Sequence, residues 1–196
     1  INRPVFDSNM EKMARLLAPL KVALRPHYKS HKSIDIAHLQ VRAGAKGITC
    51  AKVAEAEDLA LAGIEDILIA NQITEKSRIA RVAYLAKGCR ITVCVDQSQN
   101  IRDLEQAAAV EGSTIHCLVE YEVGMGRCGV TTHEAFRDLA MEVMACPHLV
   151  FDGVQAYAGQ LSHEMDGTRR AEEAQRIETE LQSLLADLKK WQIPVK

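Results

Sequence analysis

The chain is poor in aromatic residues and has no long apolar run. Aromatic side chains make up 4% of its 196 residues, so the core must be built mainly from Ala, Leu, Ile and Val. No apolar stretch approaches the roughly 18 residues that a membrane-spanning helix needs. No leader with a charged and then an apolar region follows Ile1. We therefore expect a cytoplasmic protein with no membrane partner.

The sequence also lacks a basic excess and a cysteine framework. Its 24 Lys and Arg residues are balanced by 26 Asp and Glu residues, which gives a formal net charge of -2. This balance argues against a nucleic-acid partner. None of the six cysteines forms a C-x-x-C pair, and they lie in apolar, strand-like or helical stretches. They are therefore predicted to be buried, reduced thiols rather than disulfides or zinc ligands.

Short β-branched runs alternate with Ala- and Leu-rich helical runs along the chain. This alternation predicts parallel strands joined by crossover helices. Because no G-x-G-x-x-G follows the first strand, a barrel is favoured over a Rossmann sheet. Strands are expected at 21–29, 46–51, 65–71, 90–96, 115–123 and 149–158, with a possible seventh from Ile193, and helices at 7–18, 33–43, 53–62, 75–87, 98–110, 132–145 and 168–190.

The number of strands is too small for a closed barrel. A complete (β/α)8 barrel typically takes about 250 residues, and this sequence predicts only six to seven strands. The expected fold is therefore α/β, a partial (β/α)8 TIM barrel. We expect residues 1–196 to form one barrel domain that is incomplete at both ends, with about one strand missing before Ile1 and further strands after Lys196.

The run Arg25–Lys32 (RPHYKSHK) carries the strongest chemical signal. Side chains alternate along a strand, so Arg25, His27 and Lys29 are expected on one face. They fall at the carboxyl end of the strand, where barrels keep their active sites. A lysine crowded by cationic groups gives up its proton more readily, and Schiff-base chemistry requires a neutral amine. Lys29 is therefore a candidate imine former. The alternative is an exposed, basic strand end.

Two other segments carry weaker signals. In Glu122–Val130 (EVGMGRCGV), the glycines permit positive φ and Arg127 offers a rigid guanidinium to an oxyanion or phenolate, although a simple glycine turn explains the pattern equally well. Near the end of the sixth strand, Gln155 and Tyr157 share a face, and Tyr157 can both stack and hydrogen-bond. Gln72 ends the third strand and could contact a ligand. Gln155 and Tyr157 could each instead be a structural polar group.

The motif RPHYKSHK resembles the R-P-H-x-K-[TS]-H-K pattern of the fold-type III pyridoxal phosphate enzymes. These enzymes share the alanine-racemase-like N-terminal barrel. Within that group the sequence resembles the branch of D-threonine aldolase, 3-hydroxyaspartate aldolase and D-serine dehydratase. The resemblance spans nearly the whole chain, with further matching segments at 47–62 (GITCAKVAEAEDLALA), 66–72 (DILIANQ), 124–130 and 153–159.

The resemblance implies a cofactor, pyridoxal 5'-phosphate, and a role for each motif. Lys29 would bind the cofactor and Arg127 would lie beside its phenolic oxygen. The pocket would also be lined by His27, Gln72, Gln155 and Tyr157, and the candidate catalytic bases are His27 and His31.

The sequence departs from the family pattern at several points. Ala158 stands where many relatives have histidine, so acid–base work is not expected at that position. The family's glycine-rich phosphate loop follows a later strand than this chain contains. Its C-terminal β-domain, which carries the ligands of a divalent metal (Mg, Mn or Zn), is also absent from this sequence. A segment that lacks those parts could be an inactive fragment of the enzyme.

The resemblance predicts a PLP-dependent aldolase, a carbon–carbon lyase. It would cleave small D-3-hydroxy amino acids of the D-threonine or 3-hydroxyaspartate type to glycine and an aldehyde. One alternative is a dehydratase of D-serine or 3-hydroxyaspartate, which releases ammonia and a keto acid. Two others are a PLP-binding protein without turnover and an α/β barrel without a cofactor. By analogy with the family we expect a homodimer.

Overall fold

A computed structural model describes residues 2–195, in which seven α-helices alternate with five β-strands. Within those residues no helix combines the length and the apolar character needed to cross a membrane. The strands are β1 (Ile48–Cys50), β2 (Asp66–Gln72), β3 (Arg90–Val95), β4 (Ile115–Glu120) and β5 (Leu149–Gln155), and the helices are α1 (Arg3–Leu17), α2 (Ile34–Arg42), α3 (Val53–Leu61), α4 (Lys76–Leu85), α5 (Ser98–Glu111), α6 (His133–Ala145) and α7 (Gly167–Lys190).

The five strands form one parallel sheet in chain order. Each strand pairs with the next, from β1 at one edge to β5 at the other. A helix separates every consecutive pair, as parallel strands require. The α/β class and the partial barrel are thereby confirmed, but the described residues contain five strands where the sequence predicted six to seven.

The prediction of a regular strand over 21–29 is wrong. This segment runs beside β1, and the Thr49 N–H donates to the Pro26 carbonyl at 2.8 Å, but only a single parallel bridge joins His27 to Thr49. Pro26 has no N–H with which to extend a ladder. The backbone then turns into a 3-10 helix at Tyr28–Ser30. Lys29 therefore lies on a turn and does not share a strand face with Arg25.

The possible seventh strand is also not found. Ile193–Val195 are in no strand, and Lys196 lies outside the described residues. The chain leaves α7 through Gln192, which has a φ of 59°, and the Ile193 N–H donates back to the Leu188 carbonyl at 2.9 Å. Ile193 is thereby folded back against the last turn of the helix and buried, so it acts as a helix-terminating residue.

The two faces of the sheet differ in character. One face packs against the helices and is apolar, as strand alternation predicts. Its side chains form a continuous core with helix residues such as Leu59, Ile101 and Phe136. Three thiols, those of Cys50, Cys94 and Cys117, are buried in the sheet, and burial raises the pKa of Cys50 to about 12. The strand residues of this core are Ile48, Cys50, Ile67, Ile69, Ile91, Val93, Val95, Ile115, Cys117, Val119, Leu149 and Phe151.

The opposite face, which is the barrel interior, carries ion pairs near the amino ends of the strands. Arg25 grips Asp66 through both terminal nitrogens, at 2.5 and 2.9 Å. Arg90 donates to Asp152 and contacts His116 Nε2 at 3.2 Å. Burial alone would raise the pKa of Asp152, but the charges and hydrogen bonds of His116 and Arg90 hold it below its usual value. Arg25 is therefore a structural residue, because its charge is neutralised away from Lys29.

The long helix α7 is fastened to the barrel by a histidine. His133, the first residue of α6, places Nδ1 2.8 Å from Asp187 and Nε2 3.4 Å from Glu180, both on α7. The Tyr121 hydroxyl donates to the same Glu180 carboxylate at 2.6 Å. The hydrogen bond to Asp187 is the main cause that raises the pKa of His133, with Glu180 adding to it and burial opposing it.

The raised pKa makes the anchoring of α7 pH-dependent. Because the folded pKa of His133 lies above 6.5, its stabilisation is complete below pH 6.5 and is lost as pH rises through the folded pKa. We expect His133→Gln to lower the unfolding free energy by on the order of 1 kcal/mol at pH 6 and by clearly less at pH 9. Urea unfolding at the two pH values measures the difference, and an equal loss at both would contradict it.

Candidate functional site

Several residues singled out by sequence lie at the carboxyl edge of the sheet. His27 and Lys29 follow the extended segment beside β1, Gln72 ends β2 and Gln155 ends β5. A fifth group, Glu120, ends β4 and lies opposite Gln155 in the register. Carboxyl edges of parallel strands are where such folds bind ligands.

Lys29 and His27 are linked through the turn that carries the lysine. His27 caps this turn, because its Nδ1 accepts the Lys29 backbone N–H at 3.2 Å. The neutral ring therefore carries its proton on Nε2, which has no partner among residues 2–195. Burial is the main cause that lowers the pKa of His27, and the Lys29 ammonium lowers it further. His27 thus presents a neutral imidazole with one N–H donor beside the Lys29 turn.

His31, the other candidate base, is held by local contacts. Its Nδ1 accepts the Ser33 N–H at 3.1 Å, so Nε2 carries the proton and donates to the Gln40 side chain at 3.2 Å. Its ring stands edge-on to Tyr28, with the centroids 5.5 Å apart. Both ring nitrogens are therefore engaged in tying the lysine turn to α2. The arrangement favours a structural role for this side chain.

Gln72 and Glu120 form a side-chain hydrogen bond at this edge. The Gln72 amide donates to the Glu120 carboxylate at 2.5 Å. An irregularity in the β2–β3 register between Ile69 and Gln72 shifts the end of β2 relative to β3. Glu120 is only 5% exposed. Burial raises its pKa, against the opposing hydrogen bond from Gln72 and the charge of Arg127.

Glu120 was missed by the sequence analysis. The signal that could have found it is an acid at the end of the strand IHCLVE, at the same edge as the lysine motif. An ionisable group is rarely buried to this extent without a partner or a function.

The Arg127 loop, residues 122–129, is shaped by its own first residue. The Glu122 carboxylate accepts the N–H groups of Gly124 and Gly126, both at 2.7 Å. These backbone donors, Gly126 first, hold the pKa of Glu122 below its usual value. Gly129 has a φ of 99°, and a Cβ there would lie 2.8 Å from the Glu122 nitrogen. Only glycine fits this return of the loop to β4.

Arg127 and Tyr157 come together as a pair. The Arg127 guanidinium carbon lies 5.2 Å from the centroid of the Tyr157 ring, which is the geometry of a cation–π contact. The ring in turn rests on Gly159, where a Cβ would approach it to 2.5 Å. Gln155 fixes its backbone by accepting the Tyr121 N–H at 2.8 Å, and its half-buried side chain makes no hydrogen bond to residues 2–195.

A large apolar cavity lies away from these residues. It measures about 540 Å³ and is lined mainly by side chains of α1, by residues 22–24, by Pro26 and by residues 43–45. None of the predicted site residues lines it. Within the described part of the chain, no three His, Cys, Asp or Glu side chains are grouped to hold a metal ion.

The sequence is similar to those of two curated aldolases. The chain is 43% identical over 160 residues to the 3-hydroxy-D-aspartate aldolase of Paracoccus denitrificans, covering 81% of this chain and 41% of that protein. It is 39% identical over 185 residues to a D-threonine aldolase of an Arthrobacter species, covering 93% and 49%. It therefore spans about half the length of the curated relatives it matches.

A solved structure gives the same result for the fold. The crystal structure of D-threonine aldolase from Filomicrobium marinum superposes with a TM-score of 0.95 at 37% sequence identity, covering 97% of this chain and 51% of that one. The family model of the alanine racemase N-terminal domain matches residues 1–196. This chain belongs to the alanine racemase N-terminal domain family.

Proposed function

We propose that this chain provides the cofactor-binding barrel of a PLP-dependent aldolase that cleaves D-3-hydroxy amino acids. The family is one of pyridoxal phosphate enzymes, and two relatives at about 40% identity are aldolases of D-threonine and of 3-hydroxy-D-aspartate. The observation that carries the proposal is the position of Lys29. Lys29 lies on a turn at the carboxyl edge of the sheet, the same edge as Gln72, Glu120 and Gln155.

The residues present fit pyridoxal phosphate by their chemistry. Lys29 offers the primary amine that an aldehyde cofactor needs. Arg127 offers a planar guanidinium to a phenolic oxygen, and Tyr157 holds that guanidinium in place. The unpaired amide of Gln155 and the Nε2–H of His27 are further groups that can hydrogen-bond a ring-bound cofactor. The phosphate-binding residues are not assigned within this chain.

Each of these residues has a defined task in the proposed reaction. The bound cofactor supplies an electron sink for the pair of electrons released when the Cα–Cβ bond breaks. Lys29 would hold the cofactor through its primary amine. Arg127 keeps a positive charge beside the ring without acting as an acid, because a guanidinium does not lose its proton in a protein.

His27 is better placed to donate than to accept a proton. Its Nδ1 lone pair is used by the Lys29 N–H, and its Nε2 carries the hydrogen. We therefore assign His27 to hydrogen-bonding and orientation through Nε2. His31 acts more remotely, by fixing the lysine turn against α2 through Gln40. A general base from elsewhere in the enzyme is consistent with both assignments.

The divalent metal that the resemblance implies does not fit this part of the protein. Among residues 2–195, no three His, Cys, Asp or Glu side chains are grouped so that they could hold it.

The assignment of Lys29 can be tested by chemical reduction. We expect borohydride reduction of the protein incubated with PLP to add one cofactor to the peptide that contains Lys29, as read by mass spectrometry. Lys29→Ala should abolish both the adduct and the visible absorbance of the bound cofactor. Lys52→Ala, which removes another exposed lysine near the same edge, is the control and should keep both. An adduct on any other lysine would refute the assignment.

The reaction products show whether the Cα–Cβ bond is the one that breaks. With D-threonine and D-3-hydroxyaspartate we expect glycine and an aldehyde as the products. Ammonia and a 2-keto acid would identify a dehydratase instead, a reaction named for a relative from Delftia that is 28% identical over 158 residues. Quantifying glycine and ammonia in the same reaction mixture decides between the two.

A substitution at Glu120 separates the effect on function from the effect on stability. Because burial raises the pKa of this carboxyl, its ionised form opposes folding at neutral pH. Glu120→Gln should therefore leave the unfolding free energy at pH 7 unchanged or higher. It should nevertheless lower kcat/KM at least about tenfold, since the negative charge facing Arg127 is lost and the Gln72 amide is left with a neutral acceptor. Glu65→Gln, at an exposed position, is the control. Full activity in Glu120→Gln would mean that Glu120 only fills space.

A further inference from the structure

One backbone carbonyl inside the Arg127 loop accepts two side chains from outside it. The buried Val123 carbonyl takes a hydrogen bond from Gln160 Nε2 at 3.0 Å and another from Arg176 Nη2 at 2.9 Å. Gln160 belongs to the 3-10 helix Gly159–Ser162, and Arg176 lies on α7. Three segments that are distant in sequence are thereby joined at a single atom.

The loop is built to admit both donors. Gly124, next to the accepting carbonyl, has a φ of 116°. A Cβ at this position would lie 2.8 Å from Gln160 Nε2 and 3.2 Å from Arg176 Nη2. Any larger residue would therefore push the donors off the carbonyl. Arg176 is itself oriented by Glu173, which it contacts through Nε at 2.9 Å and Nη2 at 2.7 Å.

Gln160 connects the two members of the Arg127–Tyr157 pair. The turn that begins at Gly159 supports the Tyr157 ring, and the next residue, Gln160, holds the loop that carries Arg127. The relative position of ring and guanidinium is thus set by one side chain that spans both segments. Arg176 adds a charge-assisted hydrogen bond to the same carbonyl, and such bonds are among the stronger ones in proteins.

We propose that Gln160 and Arg176 are positioning residues that hold Arg127 over Tyr157 and thereby orient its guanidinium toward the cofactor. This inference rests on the proposed function, because it assigns a purpose to Arg127 in cofactor binding. Removing both donors leaves the Val123 carbonyl buried without a partner, which favours opening of the loop. The loss then falls on Arg127 and not on Lys29, which lies on a different turn.

The test uses the double variant Gln160→Ala/Arg176→Met in the whole protein. Trypsin cleavage after Arg127, measured without PLP, reports opening of the loop, and a titration with PLP followed by absorbance reports binding. We expect cleavage to accelerate at least about fivefold, because proteolysis tracks the population of the open form. The Kd for PLP should rise about tenfold while the adduct on Lys29 still forms.

The matched control is Gln182→Ala/Arg169→Met, which removes the same two residue types from exposed positions of α7. Both readouts should stay within about twofold of the parent protein, as surface substitutions normally do. Arg176→Lys alone, which keeps a cation for the Val123 carbonyl, should restore most of the protection from trypsin when paired with the natural Gln160. If the double variant does not unfold cooperatively, the protection of Arg176→Lys from trypsin serves as the test in its place.

Two results would overturn the proposal. One is unchanged cleavage after Arg127 in a folded double variant, and the other is faster cleavage with an unchanged Kd for PLP. Failure of the proposed function appears differently, as a parent protein that forms no adduct on Lys29. In that case the cleavage rate still decides whether Gln160 and Arg176 hold the loop.

Discussion

Parallel pairing of consecutive strands is the constraint on which this structure depends. Because every strand runs in the same direction, all the carboxyl ends fall at one edge, and residues that are 40 or more positions apart in sequence become neighbours there. Gln72 and Glu120, at the ends of β2 and β4, meet at 2.5 Å for this reason. The same pairing leaves the amino ends of the strands at the other edge, where Arg25 and Asp66 form their ion pair. The barrel interior thus carries ion pairs near the amino ends of the strands and the candidate site at the carboxyl ends.

How much of this follows from the sequence depends on the kind of signal. Periodicity alone predicts the alternation of strands and helices, because the apolar faces of the elements repeat with their own geometry. It fails at 21–29, where β-branched and polar residues look extended but Pro26 removes a donor and the chain turns at Tyr28. The register shifts, such as the one between Ile69 and Gln72, depend on contacts between strands and leave no local pattern.

The candidate site divides in the same way. The motifs around Lys29 and Arg127 stand out in the sequence because their residue types are unusual for strand ends. Glu120 does not stand out in the sequence. It is singled out by its burial beside Gln72 and by the charge of Arg127, and burial is a property of the fold. The contacts of His31 are likewise set by its neighbours. Its pattern suggests a base, whereas both of its ring nitrogens are engaged with Ser33 and Gln40.

Helix α7 links the stability of the barrel to the geometry of the site. Near its middle and its end it is held by His133 through Glu180 and Asp187, and four residues before Glu180 it reaches the Arg127 loop through Arg176. The two attachments face the same side of the helix, since residues four apart lie on one face. Deprotonation of His133 weakens only the first of them. The Arg127 loop therefore stays held by Arg176 and by Gln160, whose donor amide does not titrate. Because these two donors do not depend on His133, the orientation of Arg127 is separate from the pH dependence of folding.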